Sequence, residues 1–275
     1  MFLLNCKGRI HTLSQPVVMG IVNTTPDSFF TESRKQAVDE VLWKVEQMLQ
    51  DGAAMIDIGG QSTRPGSQRV PLEEEIRRVL PAVEAIARRF PEVFISIDTF
   101  YAKVAQLTVE AGASLVNDVS AGTIDPDLLP VVAALKVPYV LMHMQGDPQT
   151  MQSNPQYNNV VTEVFDFLNF KLKELYALGI YDVVLDPGFG FGKTIAHNFQ
   201  LLRHLPYFQQ LHKPLLIGLS RKGTIYKTLN VTAAEALNGT TVLNTLSLLN
   251  GASILRVHDV KEAVQAIRLL EAYQK

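Results

Sequence analysis

The feature that most constrains the fold of this chain is a regular alternation of short apolar runs with longer segments of helical period. Such alternation is typical of βαβ units, in which consecutive strands run parallel and helices cover the sheet. The apolar runs of strand length lie at residues 17–22, 54–58, 93–97, 114–116, 139–142, 182–185, 215–219 and 253–257. Eight such units predict an α/β fold, a (β/α)8 TIM barrel with a short N-terminal extension, and a doubly wound open sheet fits the same alternation.

Local signals place the outer elements of this fold. Thr232 with Glu235, and Asp259 with Glu262, have the spacing of a capping box and predict the starts of the last two helices. Residues 1–14 precede the first strand, and we expect them to form a small lid over the bottom of the barrel. No segment has the composition of a linker, so residues 1–275 are predicted to form a single domain.

The composition favours a protein that acts on small molecules. Of the 275 residues, 47% are hydrophobic, and the formal net charge of -2 gives no broad basic surface for nucleic acid. The single cysteine, Cys6, has no internal disulfide partner, which suits a reducing compartment. No apolar run approaches the roughly 18 residues of a membrane span, and the N-terminal run is too short for a signal peptide. We therefore expect a cytoplasmic protein without a nucleic-acid or membrane partner.

Polar side chains stand at the carboxyl end of every predicted strand. In strand order they are Asn23, Asp57, Asp98, Asn117 with Asp118, His143, Asp186, Ser220 with Arg221 and Lys222, and Arg256 with His258. The carboxyl ends of the strands of an α/β barrel meet on one face, where active sites are built. This pattern therefore predicts a functional site on that face. Asp57 and Asp118 are explained equally well as helix caps or turn formers.

The residue types at these strand ends indicate two kinds of ligand group. Asp98, Asn117 and Asp186 supply carboxylates and an amide, which match a flat heterocycle such as a purine or pterin with N–H and C=O groups along one edge. Arg256 and His258 are two residues apart on one strand end, so both face the same way and predict an anion pocket for phosphate. The site is therefore predicted to take an uncharged ring with a phosphorylated leaving group.

Two further basic residues belong to the same predicted face. Arg64, on the loop after the second strand, adds a second guanidinium to the anion pocket. Two roles are open for Lys222, because a barrel lysine can form a Schiff base with a substrate or can hydrogen-bond a ring as a fixed cation. Its neighbours Ser220 and Arg221 favour the second role.

The segment 186–193 combines an aspartate with alternating glycines, two phenylalanines and a terminal lysine. A glycine-rich loop that ends in lysine suggests phosphate binding, but the spacing fits neither the dinucleotide-binding nor the P-loop pattern. The histidines lack the spacing of a zinc site. We expect any metal to be Mg²⁺ that arrives with a diphosphate and is held by oxygen ligands.

The motifs occur together along the chain, at residues 23–29, 60–66, 98–99, 117–118, 142–146, 186–193, 220–222 and 256–260. In this order they closely resemble those of the dihydropteroate synthases, the folate-pathway enzymes that join 4-aminobenzoate to 6-hydroxymethyl-7,8-dihydropterin diphosphate. The resemblance covers nearly the whole chain. It implies a transferase that uses Mg²⁺, forms a homodimer through outer helices and is a sulfonamide target.

The resemblance also implies roles for the matching residues. The pterin ring would be held or flanked by Asp98, Asn117, Met142, Asp186, Gly218 and Lys222. The diphosphate would be bound by Asn23, Thr63, Arg64, Arg256 and His258, with Asn23 also a ligand of Mg²⁺. The aminobenzoate pocket would be formed by Phe29, Thr63, Pro65, Phe191, Ser220 and Lys222. The catalytic set would be Asn23, Asp98, Asp186, Lys222, Arg256 and His258.

Two positions depart from the family pattern. Residues 30–33 read Phe-Thr-Glu-Ser where the family usually has Asp-Gly-Gly, which implies a stiffer first loop. Gln61 replaces the usual Glu and so removes one charge near the predicted anion site.

The residues also predict how the reaction proceeds. An electron-rich dihydropterin can delocalise positive charge, so diphosphate departure can precede attack when the leaving anion is stabilised. An arylamine is neutral at pH 7, so the nucleophile needs no strong general base. The alternatives are a pterin-binding barrel with a methyl-transfer or binding-only role, against which the sets Arg256 with His258 and Ser220 with Lys222 argue, and a Schiff-base lyase at Lys222.

Overall fold

A computed structural model describes residues 1–24, 34–61, 69–146, 151 and 154–275. The predicted site residues Phe29, Thr63, Arg64 and Pro65, and the altered first loop at residues 30–33, lie outside the described residues. The predictions made for them therefore stay predictions.

Eight parallel strands form the central sheet. They are β3 (Val17–Asn23), β4 (Met55–Gly59), β5 (Phe94–Asp98), β6 (Leu115–Asp118), β7 (Tyr139–Met142), β8 (Val183–Asp186), β9 (Leu216–Ile217) and β10 (Ile254–Val257), after an N-terminal hairpin of β1 (Phe2–Cys6) and β2 (Arg9–Leu13). Their spatial order is β8-β7-β6-β5-β4-β3-β10-β9, so each strand lies beside its sequence neighbours, and β10 lies beside β3.

The sheet closes into a barrel between β8 and β9. A parallel bridge joins Leu185 to Leu215, and the Leu185 N–H donates to the Pro214 carbonyl at 2.9 Å. The (β/α)8 prediction is therefore confirmed and the open-sheet alternative is wrong. Strand β9 is shorter than the predicted run at residues 215–219, because only Leu216 and Ile217 pair with β10.

Helices connect the strands on the outside of the barrel. They are α1 (Arg34–Gln50), α2 (Leu72–Arg89), α3 (Ala102–Ala111), α4 (Leu128–Leu135), α5 (Val160–Ala177), α6 (Ile195–Arg203), α7 (Gly223–Leu229), α8 (Leu237–Leu249) and α9 (Val260–Tyr273), with a 3-10 helix at Leu205–Leu211. In the part of the chain that the structure describes, none of these helices has the length and apolar character needed to cross a membrane.

The two capping-box predictions had different outcomes. The Thr232 N–H and hydroxyl both donate to Glu235 Oε2, at 2.9 and 2.7 Å, but α8 begins only at Leu237. That pair therefore closes a turn before the helix, and the prediction was wrong. Asp259 does precede α9, but its side chain makes no capping bond.

The N-terminal hairpin closes the bottom of the barrel, as predicted. Leu4, Cys6 and Leu13 are buried in one apolar cluster with residues from the lower parts of the strands, which are Met19, Met55, Leu115, Val140, Val184, Leu216 and Ile254. Burial, aided by the negative charge of Asp182, raises the pKa of Cys6 to about 12, so the thiol stays protonated. With this end filled, the open end lies at the carboxyl ends of the strands.

Candidate active site

Arg256 joins side chains from four strands at the open end of the barrel. Its Nε donates to Asp57 Oδ2 at 2.6 Å, and its Nη2 donates to Asp98 Oδ2 at 2.6 Å. Asn117 Nδ2 donates to the same Asp57 oxygen at 3.1 Å. The network therefore links β4, β5, β6 and β10. Asp57, which the sequence left open between a local and a functional role, is an ion-pair partner of Arg256.

Burial and charge oppose each other in this network. The pKa of Asp98 is raised to about 7, mainly by burial; within this balance Arg256 acts to lower it and Asp57 acts to raise it. Burial alone would lower the pKa of Arg256, but the two carboxylates outweigh it and the net shift is upward. Arg256 therefore stays charged, and Asp98 can change its protonation state near neutral pH.

Asp186 and Lys222 lie on the side of the mouth next to the glycine-rich loop. Asp186 Oδ1 accepts the Gly188 N–H at 2.7 Å, and burial raises the Asp186 pKa while the charge of Lys222 acts to lower it. Lys222 Nζ donates to the Phe189 carbonyl at 2.7 Å and lies 4.6 Å from the centre of the Phe191 ring. Burial lowers the pKa of Lys222 to about 8, against the attraction of Asp186. The structure thus brings the acid and base of the predicted pterin site together.

Apolar side chains line part of the mouth beside these charges. Met142 pairs in register with Asp186 and is buried in one cluster with Phe191, Phe100, Val119 and Met151. Gly218 faces Lys222, since a Cβ on that glycine would lie 3.7 Å from Nζ. Of the predicted ring-flanking residues, Gly218 therefore adjoins Lys222, and Met142 adjoins Asp186 and Phe191.

His258 contacts Ser220 and not the carboxylates that hold Arg256. Ser220 Oγ accepts the His258 backbone N–H at 3.2 Å and lies 3.0 Å from His258 Nδ1. The hydroxyl and Nδ1 share one hydrogen bond, whose direction is set by the imidazole tautomer. Loss of hydration beside neighbouring protein groups, with repulsion from Arg256 and Lys44, lowers the pKa of His258 to about 4. His258 is therefore neutral at pH 7, and Arg256 supplies the positive charge.

Arg221 has a structural role, because its guanidinium binds neighbouring segments of the chain. Its Nε and Nη2 each bond Asp259 at 2.8 Å, and its Nη1 donates to the carbonyls of Ala233 and Ala234 at 3.0 and 2.6 Å. This explains why Asp259 does not cap α9. The contacts tie the loop between β9 and α7 to the start of α9, so Ser220 and His258 are held side by side.

Asp118 acts as a turn former. Its two carboxylate oxygens accept the N–H groups of Ser120 and Gly122, both at 2.7 Å, and the Tyr139 hydroxyl donates to it at 2.7 Å. The local alternative is therefore correct for Asp118, whereas Asp57 has the long-range role.

Asn23 and Gln61 lie at the ends of β3 and β4, in different environments. Asn23 is exposed at the mouth. Gln61 is buried, and its amide donates to the Val70 carbonyl and accepts the Val70 N–H, both at 2.9 Å. It also donates to the Glu75 carboxylate. The residue that contacts the uncharged amide of Gln61 is therefore the buried Glu75, whose pKa is raised by burial.

Comparison with known proteins agrees with this geometry. A family model described as "Pterin binding enzyme" matches residues 19–258. Dihydropteroate synthase of Escherichia coli K12 is 43% identical over 271 residues, which cover 98% of this chain and 95% of that protein. The chain belongs to the dihydropteroate synthase family. It is accordingly a transferase of folate biosynthesis.

Solved dihydropteroate synthase structures share the whole fold. The enzyme of Yersinia pestis, in a complex with a sulfonamide drug, superposes with a TM-score of 0.94 at 42% identity and 99% coverage of both chains. The enzyme of Xanthomonas albilineans with 4-aminobenzoic acid superposes with a TM-score of 0.91 at 42% identity, covering 99% of this chain and 98% of that one. These structures support small-molecule substrates for the family.

Proposed function

We propose that this chain condenses 4-aminobenzoate with 6-hydroxymethyl-7,8-dihydropterin diphosphate, releasing 7,8-dihydropteroate and diphosphate. The observation that carries the proposal is the network at the mouth, where Arg256 binds Asp57 and Asp98 beside Asn117. The Xanthomonas albilineans enzyme, whose structure contains 7,8-dihydropteroate, is 40% identical to this chain over 99% of both chains.

The pterin ring would lie among Asp98, Asn117, Asp186 and Lys222. Carboxylate and amide oxygens accept ring and exocyclic N–H groups, and the ammonium of Lys222 donates to a ring acceptor. Removal of water from this buried pocket strengthens each of these bonds. The negative charges of Asp98 and Asp186 would also stabilise a pterin that becomes cationic as diphosphate departs.

The diphosphate would lie near the ends of the neighbouring strands β3 and β10, which carry Asn23, Arg256 and His258. The Nη1 group of Arg256 has no partner among the described residues, so this edge of the guanidinium is available to an anion while the other edge is anchored. In the tautomer whose Nδ1 accepts the Ser220 hydroxyl, His258 would donate to the anion through Nε2. Thr63 and Arg64, from the loop outside the described residues, remain predicted members of this subsite.

The Mg²⁺ of the proposal would be held by Asn23 and by oxygens of the diphosphate. Among the described residues no group of three or more His, Cys, Asp or Glu side chains is arranged to bind a metal. An exposed amide oxygen is a hard ligand, and Mg²⁺ commonly takes few protein ligands together with substrate phosphates, so the donor set fits. When bound, the ion would neutralise charge on the leaving group.

The 4-aminobenzoate would bind beside Phe191, Ser220 and Lys222, with Phe29, Thr63 and Pro65 as further predicted members. Phe191 is buried, and Lys222 lies over its ring, so an apolar surface adjoins a cation. This pairing suits an aromatic ring that carries a carboxylate. Because its amine is neutral at pH 7, attack on the pterin carbon would follow or accompany diphosphate departure without a strong general base.

The experiment that tests the function measures diphosphate release from the pterin substrate with and without 4-aminobenzoate. Release that requires both substrates and Mg²⁺, with 7,8-dihydropteroate formed in equal amount, supports the synthase. The absence of diphosphate release would contradict the proposal. A substrate adduct at Lys222 that borohydride traps would also contradict it, because it would indicate a Schiff base.

The partner and compartment of the proposal rest on other features. We propose a homodimer through α8 and α9, where Val242, Leu246, Leu249, Leu269 and Tyr273 are exposed. Such an apolar patch favours burial against a second copy. Light scattering of the chain and of Leu269→Glu tests this, since Leu269→Glu should give monomers. Phe170→Glu, at an exposed residue on α5, is the control and should leave a dimer.

A cytoplasmic location suits the buried, free Cys6.

A further inference from the structure

Lys193, the last residue of the glycine-rich loop, points into the protein. Only 2% of the residue is exposed. Its Nζ lies 2.9 Å from His143 Nδ1 and donates to the carbonyls of Gly188, Phe191 and His143 at 2.9, 3.0 and 3.3 Å. The predicted functional residues do not include Lys193, and these contacts leave it no direct access to a phosphate. A buried ammonium is costly, so its contacts need an explanation.

The hydrogen-bonding capacity of the lysine defines the state of its partners. Burial lowers the pKa of Lys193 to about 7, against the attraction of Asp186. In the ammonium form the lysine has three N–H donors and no acceptor, so in that form His143 Nδ1 accepts from it and the imidazole proton lies on Nε2. Burial, with the charge of Lys193, lowers the pKa of His143 to about 2, which keeps this imidazole neutral. One lysine thus binds two consecutive loops, the one after β7 and the one after β8.

The backbone of the loop requires this close packing. Gly188 has φ of 72°, and a Cβ there would overlap the His143 carbonyl oxygen. Gly192 has φ of 62°, and a Cβ there would overlap the Gln145 carbonyl. A side chain at either position would therefore separate the two loops and move the carbonyls that Lys193 binds.

The residues between the bound carbonyls contact Lys222. Lys193 holds Gly188 and Phe191 from inside, while the Phe189 carbonyl between them accepts Lys222 Nζ at 2.7 Å. The Phe191 ring lies 4.6 Å from the same Nζ. Displacement of the loop would move both contacts of Lys222 together.

We propose that Lys193 is a positioning residue for the reaction, which fixes the glycine-rich loop so that the Phe189 carbonyl and Phe191 ring locate the Lys222 ammonium. The inference rests on the proposed function for the role of Lys222 in substrate binding. It needs no contact between Lys193 and either substrate. Its consequence is that loss of Lys193 affects binding of both substrates, since Lys222 and Phe191 adjoin both proposed subsites.

The first test compares Lys193→Met with Lys213→Met. Both changes remove a lysine amine that donates to a carbonyl, because Lys213 Nζ donates to the Tyr181 carbonyl at 2.8 Å. Lys213 is half-buried and precedes the amino end of β9, away from the mouth. We expect kcat/KM of folded Lys193→Met to fall about 10- to 100-fold for both substrates, the scale of a small misplacement of a reacting or binding group. Lys213→Met should match the unaltered enzyme. Unchanged kinetic constants in a folded but less stable Lys193→Met would overturn the proposal.

A double-mutant cycle with Lys222→Met separates positioning from general loss of stability. If Lys193 acts through Lys222, the variant Lys193→Met with Lys222→Met should bind the pterin substrate no more weakly than Lys222→Met alone. Additive losses would overturn the proposal. Lys193→Gln, which keeps two donors, should be intermediate and carries the test if Lys193→Met does not fold.

A chemical readout distinguishes this inference from the proposed function. Acetylation of Lys222 by acetic anhydride, followed by peptide mass mapping, reports how well that amine is held and needs no turnover. In Lys193→Met the rate at Lys222 should rise several-fold, although the loss of a nearby positive charge would by itself slow it. An unchanged or slower rate would refute the positioning role. Inactivity of the unaltered protein would instead refute the synthase function and leave this readout intact.

Discussion

The change Asp57→Asn tests whether the Arg256 network sets the protonation state of the pterin site. The variant keeps the size of the side chain and an oxygen for Asn117, and it removes one negative charge. The pKa of Asp98 is about 7, and the negative charge of Asp57 is one of the effects that raise it. The acid limb of kcat/KM for the pterin substrate reports this group in the free enzyme, because Asp98 must be ionised to accept N–H groups.

The magnitude follows from the geometry of the guanidinium. Asp57 and Asp98 each bind a different nitrogen of Arg256 at 2.6 Å, so their carboxylates are about 5 Å apart. At an effective dielectric constant of about 20, two such charges repel by about 3 kcal/mol, equivalent to about two pKa units before screening by Arg256. We expect the acid limb to move to lower pH by about one unit or more.

The assay measures initial rates from about pH 5 to 9 under the same substrate conditions for both enzymes, so that ionisation of the diphosphate cancels between them. Asp39→Asn, at an exposed residue on α1, removes the same charge away from the mouth and should leave the profile unchanged. An acid limb that stays in place or moves to higher pH in Asp57→Asn would refute the coupling of Asp57 to Asp98.

Three other changes have defined outcomes. Arg256→Ala should lose about 2–3 kcal/mol of transition-state stabilisation, or about 30- to 150-fold in rate per folded enzyme, and near-normal turnover would exclude its assigned role. Asp186→Asn should abolish measurable pterin binding by calorimetry while circular dichroism shows an intact fold; retained affinity would contradict the site. Asp259→Ala frees Arg221, whose φ of 54° is strained, and should lower the free energy of unfolding by about 1–3 kcal/mol in urea titrations. No loss would show that the pair is not stabilising.

The sequence pattern was sufficient to predict structure where the structure of a segment depends mainly on its own residues. Apolar runs of strand length predicted the positions of all eight barrel strands. A residue that follows such a run lies at the open end of the barrel, where the carboxyl ends of the strands meet. Asp98, Asn117 and Asp186 could therefore be assigned to one site from the sequence. Where the chain offered two local explanations, as for Asp57 and Asp118, the pattern could not choose between them. The deciding partner of Asp57 is Arg256, 199 residues further along the chain.

The sequence by itself determined the barrel, the face that carries the site, and the residue types available there, because these depend on periodicity and strand ends. Only the tertiary structure decided how the charges are used. Arg256 is anchored by two carboxylates, His258 is neutral, and Lys193 is directed inward to its own loop. The physical reason is that pKa values and ion pairs depend on burial and on side chains that folding brings together from distant strands, which no local pattern records.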